Sequence, residues 1–329
     1  MTVSRALKNQ PEISTASRQR ICALAREMGY RPHPYVSALM SGVAKNRQAR
    51  ADVCLAVLHF ETYQKTLPHA YYRGVCTRAA DLGYIAEPFH YDPSTVSPAR
   101  LRSILMARGI RGIILMPAIE GFTSIDFDFS GFATAALGHT IVNPRLPRIA
   151  SDIYNGVFDG LTELIARGHS RIGLVNSEYV NRLARFLYSA AITAYRDHAA
   201  TPGVHLVEHC LAAPIDSGAS LEKLSRWIIA EKLDAVVCPL FGFDLHGILQ
   251  NLGFSIPKDF SYLNLLDHPD PEVSQLNHMG ELMGSKAVDV VTAMINRNEF
   301  QTPEYPQTVG TPSRWHEGTT TPDRRPLQV

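Results

Sequence analysis

The chain has 329 residues, of which 45% are hydrophobic and 19% charged, and its formal net charge is +1. This composition excludes an intrinsically disordered protein and leaves room for a small N-terminal unit and two lobes with cores of their own. No uncharged run reaches the roughly 18 residues that a membrane span needs, and Arg5 and Lys8 stand where a signal peptide would have its apolar core. We therefore expect a cytoplasmic protein.

The first nine residues predict a short helix with two different faces. Thr2, Ser4 and Arg5 supply hydroxyls for phosphates and a guanidinium for a guanine edge, whereas Val3 and Leu7 lie on the opposite face, where a partner helix should pack. This is the pattern of the second half of a helix-turn-helix. We expect that the first half is missing because the start codon was assigned too far downstream or the chain was trimmed. A chain that naturally lacks this first half is the alternative.

A second helix is predicted after Ser14, which is a good N-cap residue, and it ends before Gly29 and Pro32. Its apolar residues follow the helical period: Ile21, Leu24, Ala25 and Met28. Residues 1–50 carry a net charge of +7, with nine Lys or Arg and two acids, which leaves −6 for the rest of the chain. One end is therefore suited to a polyanion. A solvated basic tail is the alternative, but it would not carry a capped amphipathic helix.

The run from Thr2 to Gly42 resembles the DNA-binding headpiece of the LacI/GalR family, whose pattern is roughly T-V-S-R-x-L-N, a capped helix, G-Y-x-P-N and a hinge helix A-x-x-L-x-x-G. The resemblance implies that Arg5 reaches a base edge and that Leu39, in the hinge, wedges into the minor groove. The implied DNA-binding residues are Thr2, Ser4, Arg5, Ser14, Ser17, Tyr30, His33 and Leu39. With one helix absent, we expect the chain as given to bind operator DNA poorly.

From Asp52 onward, short apolar runs alternate with amphipathic helices, which predicts parallel sheets covered on both faces. The first lobe is predicted to contain strands Val53–Phe60, Tyr84–His90, Ile110–Pro117, Ala133–Leu137 and Ile149–Ser151 and helices Tyr71–Leu82 and Pro98–Arg108. The second is predicted to contain strands Arg171–Val175, His205–Cys210, Ala235–Pro239 and Phe260–Leu265 and helices Gly156–Arg167, Arg182–His198, Ser220–Glu231 and Gly242–Leu252. A last helix is predicted over Glu281–Asn296. The fold class is therefore α/β, with two doubly wound parallel-sheet lobes preceded by a partial all-α DNA-binding headpiece.

This core resembles the periplasmic-binding-protein-like core of the same family, and the match is closest around Gly168-His169-x-Arg171-Ile172-Gly173. The resemblance implies four segments: a headpiece with hinge helix (1–50), an N-terminal lobe (51–152 plus about 280–315), a C-terminal lobe (153–279) and a tail (316–329). In such sheets, ligands bind outside the carboxyl ends of the strands. The resemblance thus implies a small effector in the cleft between the lobes.

Several residues depart from the family pattern at this cleft. Pro239-Leu240-Phe241 replaces the usual Asn-Asp pair, Asp267 is the only acid kept from G-F-D-D, and His278 replaces a common glutamine. Arg182 and Arg185 lie within a turn of the expected arginine. The candidate effector-binding residues are His59, Phe60, Tyr63, Tyr71, Arg73, Arg182, Arg185, Phe241, Asp244, Asp267 and His278. Sugar rings stack on aromatic faces, so a carbohydrate is a candidate, although these aromatics would equally line an interface between lobes.

Other kinds of site are disfavoured. The five cysteines, Cys22, Cys54, Cys76, Cys210 and Cys238, are widely spaced without a C-x-x-C pair and are predicted to be core thiols. His198, His205 and His209 lie on both sides of a Pro-Gly turn rather than on one helix, and we predict no metal site. Gly168-His169 is predicted to be a helix-to-strand corner. No P-loop, G-x-S-x-G elbow or G-x-G-x-x-G after a strand is present, so we expect neither an enzyme nor a cofactor.

The sequence therefore favours a ligand-responsive transcriptional regulator of the repressor type that binds operator DNA as a homodimer. The tail after Thr320 contains two prolines and no heptad, so a tetramerising coiled coil is not expected. A solute-binding protein without DNA-binding activity is the alternative, which the basic N-terminus opposes.

Overall fold

The computed structural model describes residues 14–27, 53–60, 69–118, 123–199, 202–240 and 243–325. The chain divides into two compact units, Met1–Asp52 and Val53–Val329. In the first unit the described part is one helix, α1 (Thr15–Glu27). The amide of Ser17 donates to Ser14 Oγ at 3.3 Å, as expected of an N-cap, so the predicted start of this helix is confirmed. Leu24 on this helix is 54% exposed.

In its described residues, the second unit contains two six-stranded sheets. The strands of the first sheet are β1 (Val53–His59), β2 (Tyr84–His90), β3 (Gly112–Leu115), β5 (Ala133–Leu137), β7 (Arg148–Ser151) and β13 (Thr308–Thr311). Their order is β13-β7-β5-β3-β1-β2, and the sheet is parallel throughout. Two short strands, β4 (Thr123–Ser124) and β6 (Ile141–Asn143), pair separately.

Helices cover both faces of the first sheet. They are α2 (Ala70–Asp81), α3 (Pro98–Ala107) and α9 (Gly280–Arg297). Side chains of α2 and α9, among them Val75 and Val288, form one core cluster with the sheet. Leu105 of α3 packs on the other face with three phenylalanines, Phe127, Phe129 and Phe132. Burial of these apolar side chains on both faces explains why the strands read as nearly continuous hydrophobic runs.

The second sheet has the order β14-β12-β11-β10-β8-β9 and is parallel except for its edge strand β14. Its strands are β8 (Arg171–Ser177), β9 (His205–Leu211), β10 (Ala235–Cys238), β11 (Ser261–Asn264), β12 (Gln275–Asn277) and β14 (Arg314–His316). Its helices are α4 (Ile153–Ala166), α5 (Glu178–Leu183), α6 (Leu187–Ala194), a π-helix (Tyr195–Ala199), α7 (Gly218–Ala230) and α8 (Leu245–Asn251). The α/β class with two parallel-dominated lobes is thus confirmed.

The predicted helix Arg182–His198 is wrong in one respect, because three consecutive helices replace it. Ser177 caps α5, accepting from the amide of Val180, so the helical segment begins earlier than predicted. It breaks at Arg185 and Phe186, whose φ values of 54° and 62° lie in the left-handed region. Apolar periodicity does not register such a break. Similarly, α8 begins at Leu245 rather than Gly242 because Asp244 is its N-cap.

The division of the core into residues 51–152 with about 280–315, 153–279 and 316–329 stays a proposal. Strand pairing joins β13 to the first sheet and β14 to the second. Thr320 and Thr321 are buried, and Thr320 Oγ1 donates to the carbonyl oxygen of Tyr262 at 2.6 Å. Part of the proposed tail therefore packs on the second sheet. No helix in the described ranges is long and apolar enough to span a membrane.

Candidate functional site

The carboxyl ends of both sheets border one cavity with a volume of about 420 Å³. From the first lobe, it is lined by residues that follow β1, β3, β5 and β7 and by the start of α2: His59, Phe60, Met116, Pro117, Ala118, Gly138, His139, Thr140, Ser151, His69, Ala70, Tyr71 and Arg73. From the second lobe, residues after β8, β10, β11 and β12 contribute, among them Ala184, Tyr188, Pro239, Asp267 and His278. This position and volume are typical of small-molecule sites in doubly wound folds.

The polar groups of the first wall cluster at the start of α2. His69 is the N-cap, and its Nδ1 accepts from the amide of Tyr71 at 3.4 Å. Burial lowers the pKa of His69, although nearby Asp267 opposes this shift. Burial, with a smaller contribution from Asp267, raises the pKa of Tyr71 to about 12. Arg73 donates to Glu281 Oε1 at 2.9 Å, so its charge already has a partner.

The second wall supplies a carboxylate. Asp267 is exposed, and its Oδ1 accepts from the backbone amide of His278 at 2.9 Å, which fixes the side chain. Burial lowers the pKa of His278, whereas the charge of Asp267 raises it by a smaller amount. Tyr188 is 3% exposed, and burial raises its pKa. Asp267 is thus a fixed acceptor beside neutral hydroxyl and imidazole groups, and it can receive hydrogen bonds from a ligand.

Of the predicted effector-binding residues, the structure brings six together at the cavity: His59, Phe60, Tyr71, Arg73, Asp267 and His278. Arg182 and Arg185 do not line it, and Arg182 lies 3.4 Å from Glu178 Oε1. The prediction for Asp244 needs correction, since its Oδ1 accepts from the amide of Gly247 at 2.9 Å to cap α8, and it borders a different depression. Tyr63 and Phe241 lie outside the described residues.

Most of the predicted DNA-binding residues also lie outside the described part: Thr2, Ser4, Arg5, Tyr30, His33 and Leu39. Ser14 and Ser17 are described, and both are exposed at the start of α1. Their hydroxyls lie 2.9 Å apart. A role for these residues at DNA stays a prediction.

Five polar residues at the cavity were missed from the sequence: His69, His139, Thr140, Ser151 and Tyr188. His139 follows Gly138 at the carboxyl end of β5, so the strand-end rule could have found it. Its Nε2 lies 3.4 Å from the carbonyl oxygen of Ser151, to which it can donate, and burial lowers its pKa. Tyr188 falls after the unforeseen break at Arg185, so its direction could not be deduced from a continuous helix.

Other reactive groups are mostly structural. Among the residues that the structure describes, no three His, Cys, Asp or Glu side chains are placed to hold a metal ion. His169 lies buried at the corner between α4 and β8, 3.5 Å from Asp234, as the helix-to-strand prediction implies. The prediction of core thiols is wrong for Cys210, which is exposed because β9 is an edge strand. Cys238 is buried, and burial raises its pKa to about 12.

Comparison with known proteins finds similarity to bacterial regulators. Residues 1–33 match the family model described as bacterial regulatory proteins, lacI family. The transcriptional repressor CytR of Escherichia coli K12 is 23% identical over 196 residues, and the match spans 59% of this chain but only 55% of CytR. The transcriptional regulator GntR of the same organism is 26% identical over 317 residues, covering 92% of this chain and 90% of GntR.

Solved structures of regulators share the fold. The transcriptional regulator CelR in complex with cellobiose has a TM-score of 0.57 at 20% identity, covering 97% of this chain and 95% of CelR. The lac repressor dimer bound to operator and the anti-inducer ONPF has a TM-score of 0.56 at 16% identity, covering 98% and 94%. The chain thus resembles the lacI family of bacterial regulatory proteins at residues 1–33, and residues beyond this segment share the fold of these regulators.

Proposed function

We propose that this protein is a ligand-responsive transcriptional regulator of the repressor type, which binds operator DNA as a homodimer and a small effector in the interlobe cavity. The observation that carries the proposal is the pairing, in one chain, of a basic lacI-family segment at residues 1–33 with a cavity bordered by both sheets. Such a regulator acts in the cytoplasm, where its operator DNA is located.

The mechanism couples the cavity to the DNA through the distance between two hinges. In a homodimer, Arg5 of each headpiece contacts a base edge in one half-site, while Leu39 of each hinge enters the minor groove at the dyad. A ligand that contacts both walls of the cavity favours a closed arrangement of the lobes. Closure changes the spacing of the hinges and thereby the affinity for operator. A carbohydrate is one candidate effector, in line with the aromatic and hydroxyl groups of the cavity.

The catalytic alternative has less support, because the cavity residues serve as caps, hydrogen-bond acceptors and ion-pair partners rather than as an activated nucleophile with its base. A solute-binding protein would share the two-lobed core but would not need a basic segment. Sequence-specific binding to DNA therefore separates the regulator from both alternatives.

The test is selection of DNA from a random pool by the purified protein. We expect enrichment of a pseudo-palindrome, since a symmetric dimer reads two half-sites. Arg5→Ala should abolish the sequence preference and leave weak, salt-dependent binding. Arg297→Ala is the matched control. It also removes one positive charge, in this case from an exposed ion pair with Glu299 in the unit Val53–Val329. Failure to enrich any sequence would contradict the proposal.

A further inference from the structure

A depression of about 670 Å³ lies on the second lobe, beside the start of α8 and the loop that follows β11. Four carboxylates line it, and none of its described lining residues is a lysine or an arginine. The acids are Asp244, Asp267, Asp270 and Glu272. Within the described ranges, none of the four forms an ion pair with a lysine or arginine elsewhere. This acidic depression therefore carries negative charge that no such side chain offsets.

Backbone amides hold two of these carboxylates in place. Asp244 Oδ1 accepts from the amide of Gly247 at 2.9 Å. Asp270 Oδ1 accepts from the amide of Glu272, also at 2.9 Å. A ligand would therefore not have to order these side chains when it binds, which lowers the entropic cost of binding.

A buried histidine in the same wall has a ring nitrogen without a hydrogen-bond partner. The His268 side chain is 10% exposed, and its Nε2 makes no hydrogen bond within the part of the chain that the structure describes. Asp244 Oδ1 lies 3.5 Å from Nε2 but does not form a hydrogen bond with it. A buried polar atom of this kind is destabilising unless a ligand or solvent satisfies it.

The ring of His268 can present Nε2 as an acceptor. Its Nδ1 lies 3.4 Å from the carbonyl oxygen of Asp270 and 3.2 Å from the amide nitrogen of the same residue, so each tautomer has a backbone partner. When Nδ1 donates to the carbonyl oxygen, Nε2 carries the lone pair. An ammonium group placed beside it can then donate to both Nε2 and Asp244 Oδ1.

The lining favours an extended organic cation over a metal ion. Among the described residues, no three His, Cys, Asp or Glu side chains are placed to hold a metal ion, so the four carboxylates do not form one chelating group. Apolar side chains also line the acidic depression: Leu240, Phe243, Ile256 and Pro269. A ligand with several charges joined by methylene groups matches both features, because its methylene groups can contact this apolar surface.

We propose that the acidic depression binds an aliphatic polyamine, with one ammonium group donating to His268 Nε2 and Asp244 and the others pairing with Asp270 and Glu272. Charge-assisted hydrogen bonds from ammonium groups to carboxylates supply the specificity for a cation. The site is distinct from the interlobe cavity except for Asp267, which lines both. The inference goes beyond the proposed function and does not depend on it.

The test is calorimetric titration of the full chain at about pH 7.5 and equal ionic strength with the chloride salts of spermidine, 1,4-diaminobutane, butylamine and magnesium. We expect spermidine to bind at least about tenfold more tightly than butylamine, because it has more ammonium groups to pair with the carboxylates. Diaminobutane should lie between the two, and magnesium should bind no more tightly than butylamine. The affinity for spermidine should fall as salt is added, because the contact is between charges.

Substitutions distinguish this site from a general attraction between a cation and surface acids. His268→Asn keeps an oxygen that can accept from the amide of Asp270 and removes Nε2, and it should weaken the binding of spermidine about tenfold. Asp244→Asn retains the N-cap of α8, since Asn and Asp cap equally well, and should weaken binding about two- to fivefold. Asp159→Asn is the matched control, because it neutralises an exposed carboxylate on α4 outside the acidic depression. Its affinity for spermidine should equal that of the wild type.

Melting temperatures show whether each variant is folded, and if His268→Asn is unstable, Asp244→Asn, which leaves the ring in place, carries the test. Absence of spermidine binding, or equal affinity for spermidine and butylamine, would overturn the inference. Equal weakening by Asp159→Asn and Asp244→Asn would also overturn it, since the attraction would then be general to the surface. Undiminished binding by a folded His268→Asn variant would overturn the role of Nε2.

Discussion

Three histidines at the cavity, His69, His139 and His278, share one electrostatic property: burial is the largest cause of a lowered pKa in each. Asp267 attracts a proton to His69 and His278, but this attraction is smaller than the cost of burying the charged ring. The native protein therefore keeps these rings neutral near pH 7, and each can donate from one nitrogen and accept at the other. Neutral imidazoles let the walls approach each other without repulsion between them.

The lowered pKa values of these buried histidines predict a loss of stability in acid. A histidine whose folded pKa lies below its unfolded value of 6.5 binds more protons in the unfolded chain. Its contribution to the free energy of unfolding is therefore complete above about pH 6.5 and declines as the pH falls below it. We expect a lower melting temperature at about pH 5.5 than at about pH 7.5, and a smaller difference for His278→Gln. His198 is exposed, so His198→Gln should show the same difference in melting temperature as the wild type. An equal effect of both substitutions would contradict the burial of His278 as the cause of the acid sensitivity.

Sequence reasoning could place the cavity residues that lie at or shortly after the end of a strand, because the carboxyl ends of parallel strands meet at one edge. His59, Asp267 and His278 are of this kind. It failed for Asp244, whose residue type suits a ligand contact and an N-cap equally well, and only the structure shows the bond to Gly247.

At the scale of elements, the crossing of α2 and α9 brings the two helix backbones into close contact. A Cβ atom on Gly284 would lie 2.0 Å from the carbonyl oxygen of Tyr71, and one on Gly74 would lie 2.0 Å from that of Glu281. The two backbones touch where each helix has a glycine, so neither can accept a methyl group unless the helices separate. This contact fixes the position of the α2 N-terminus, and with it His69 and Tyr71, at the cavity.

Gly284→Ala should therefore destabilise the core by about 1–3 kcal/mol, since a methyl group meets backbone that cannot rotate away. Denaturation by urea measures the loss in the free energy of unfolding. Gly218→Ala is the matched control: Gly218 begins α7, and a Cβ there would meet no atom within 4 Å. This control should lie within about 1 kcal/mol of wild type, on the stabilising side. Equal changes in the free energy of unfolding for the two substitutions would show that α2 and α9 can separate at their crossing without a loss of stability.

Element types were largely predictable because apolar runs and amphipathic periods differ clearly in this chain. Ala133–Leu137, for example, has the predicted bounds, since its five residues are all buried in the middle of a parallel sheet. The break at Arg185 and Phe186 could not be predicted, because neither residue is of a type that favours left-handed φ. The edge position of β14 depends on pairing with a strand distant in sequence, and a local pattern carries no such information.

At the scale of the whole molecule, the two lobes are connected by three stretches of chain. They run from β7 to α4, from β12 to α9 and from β13 to β14. Because the chain returns to the first sheet and then to the second, neither lobe is a continuous segment. Multiple short connections permit hinge-like closure around a ligand while they limit other movements. The cavity lies beside these connections, since Ser151 and His278 line it at the ends of β7 and β12.

The three core clusters consist of residues from Leu55 onward, which predicts that stability and ligand binding reside in Val53–Val329. A fragment of residues 53–329 should unfold cooperatively at the melting temperature of the full chain, because no member of these clusters is removed. It should keep its affinity for the effector and lose sequence-specific binding to DNA, since every predicted DNA-contacting residue precedes Val53. Differential scanning calorimetry and binding to the selected operator measure the two properties. A fragment that unfolds at a clearly lower temperature, or one that still selects the operator, would contradict this separation of stability from DNA recognition.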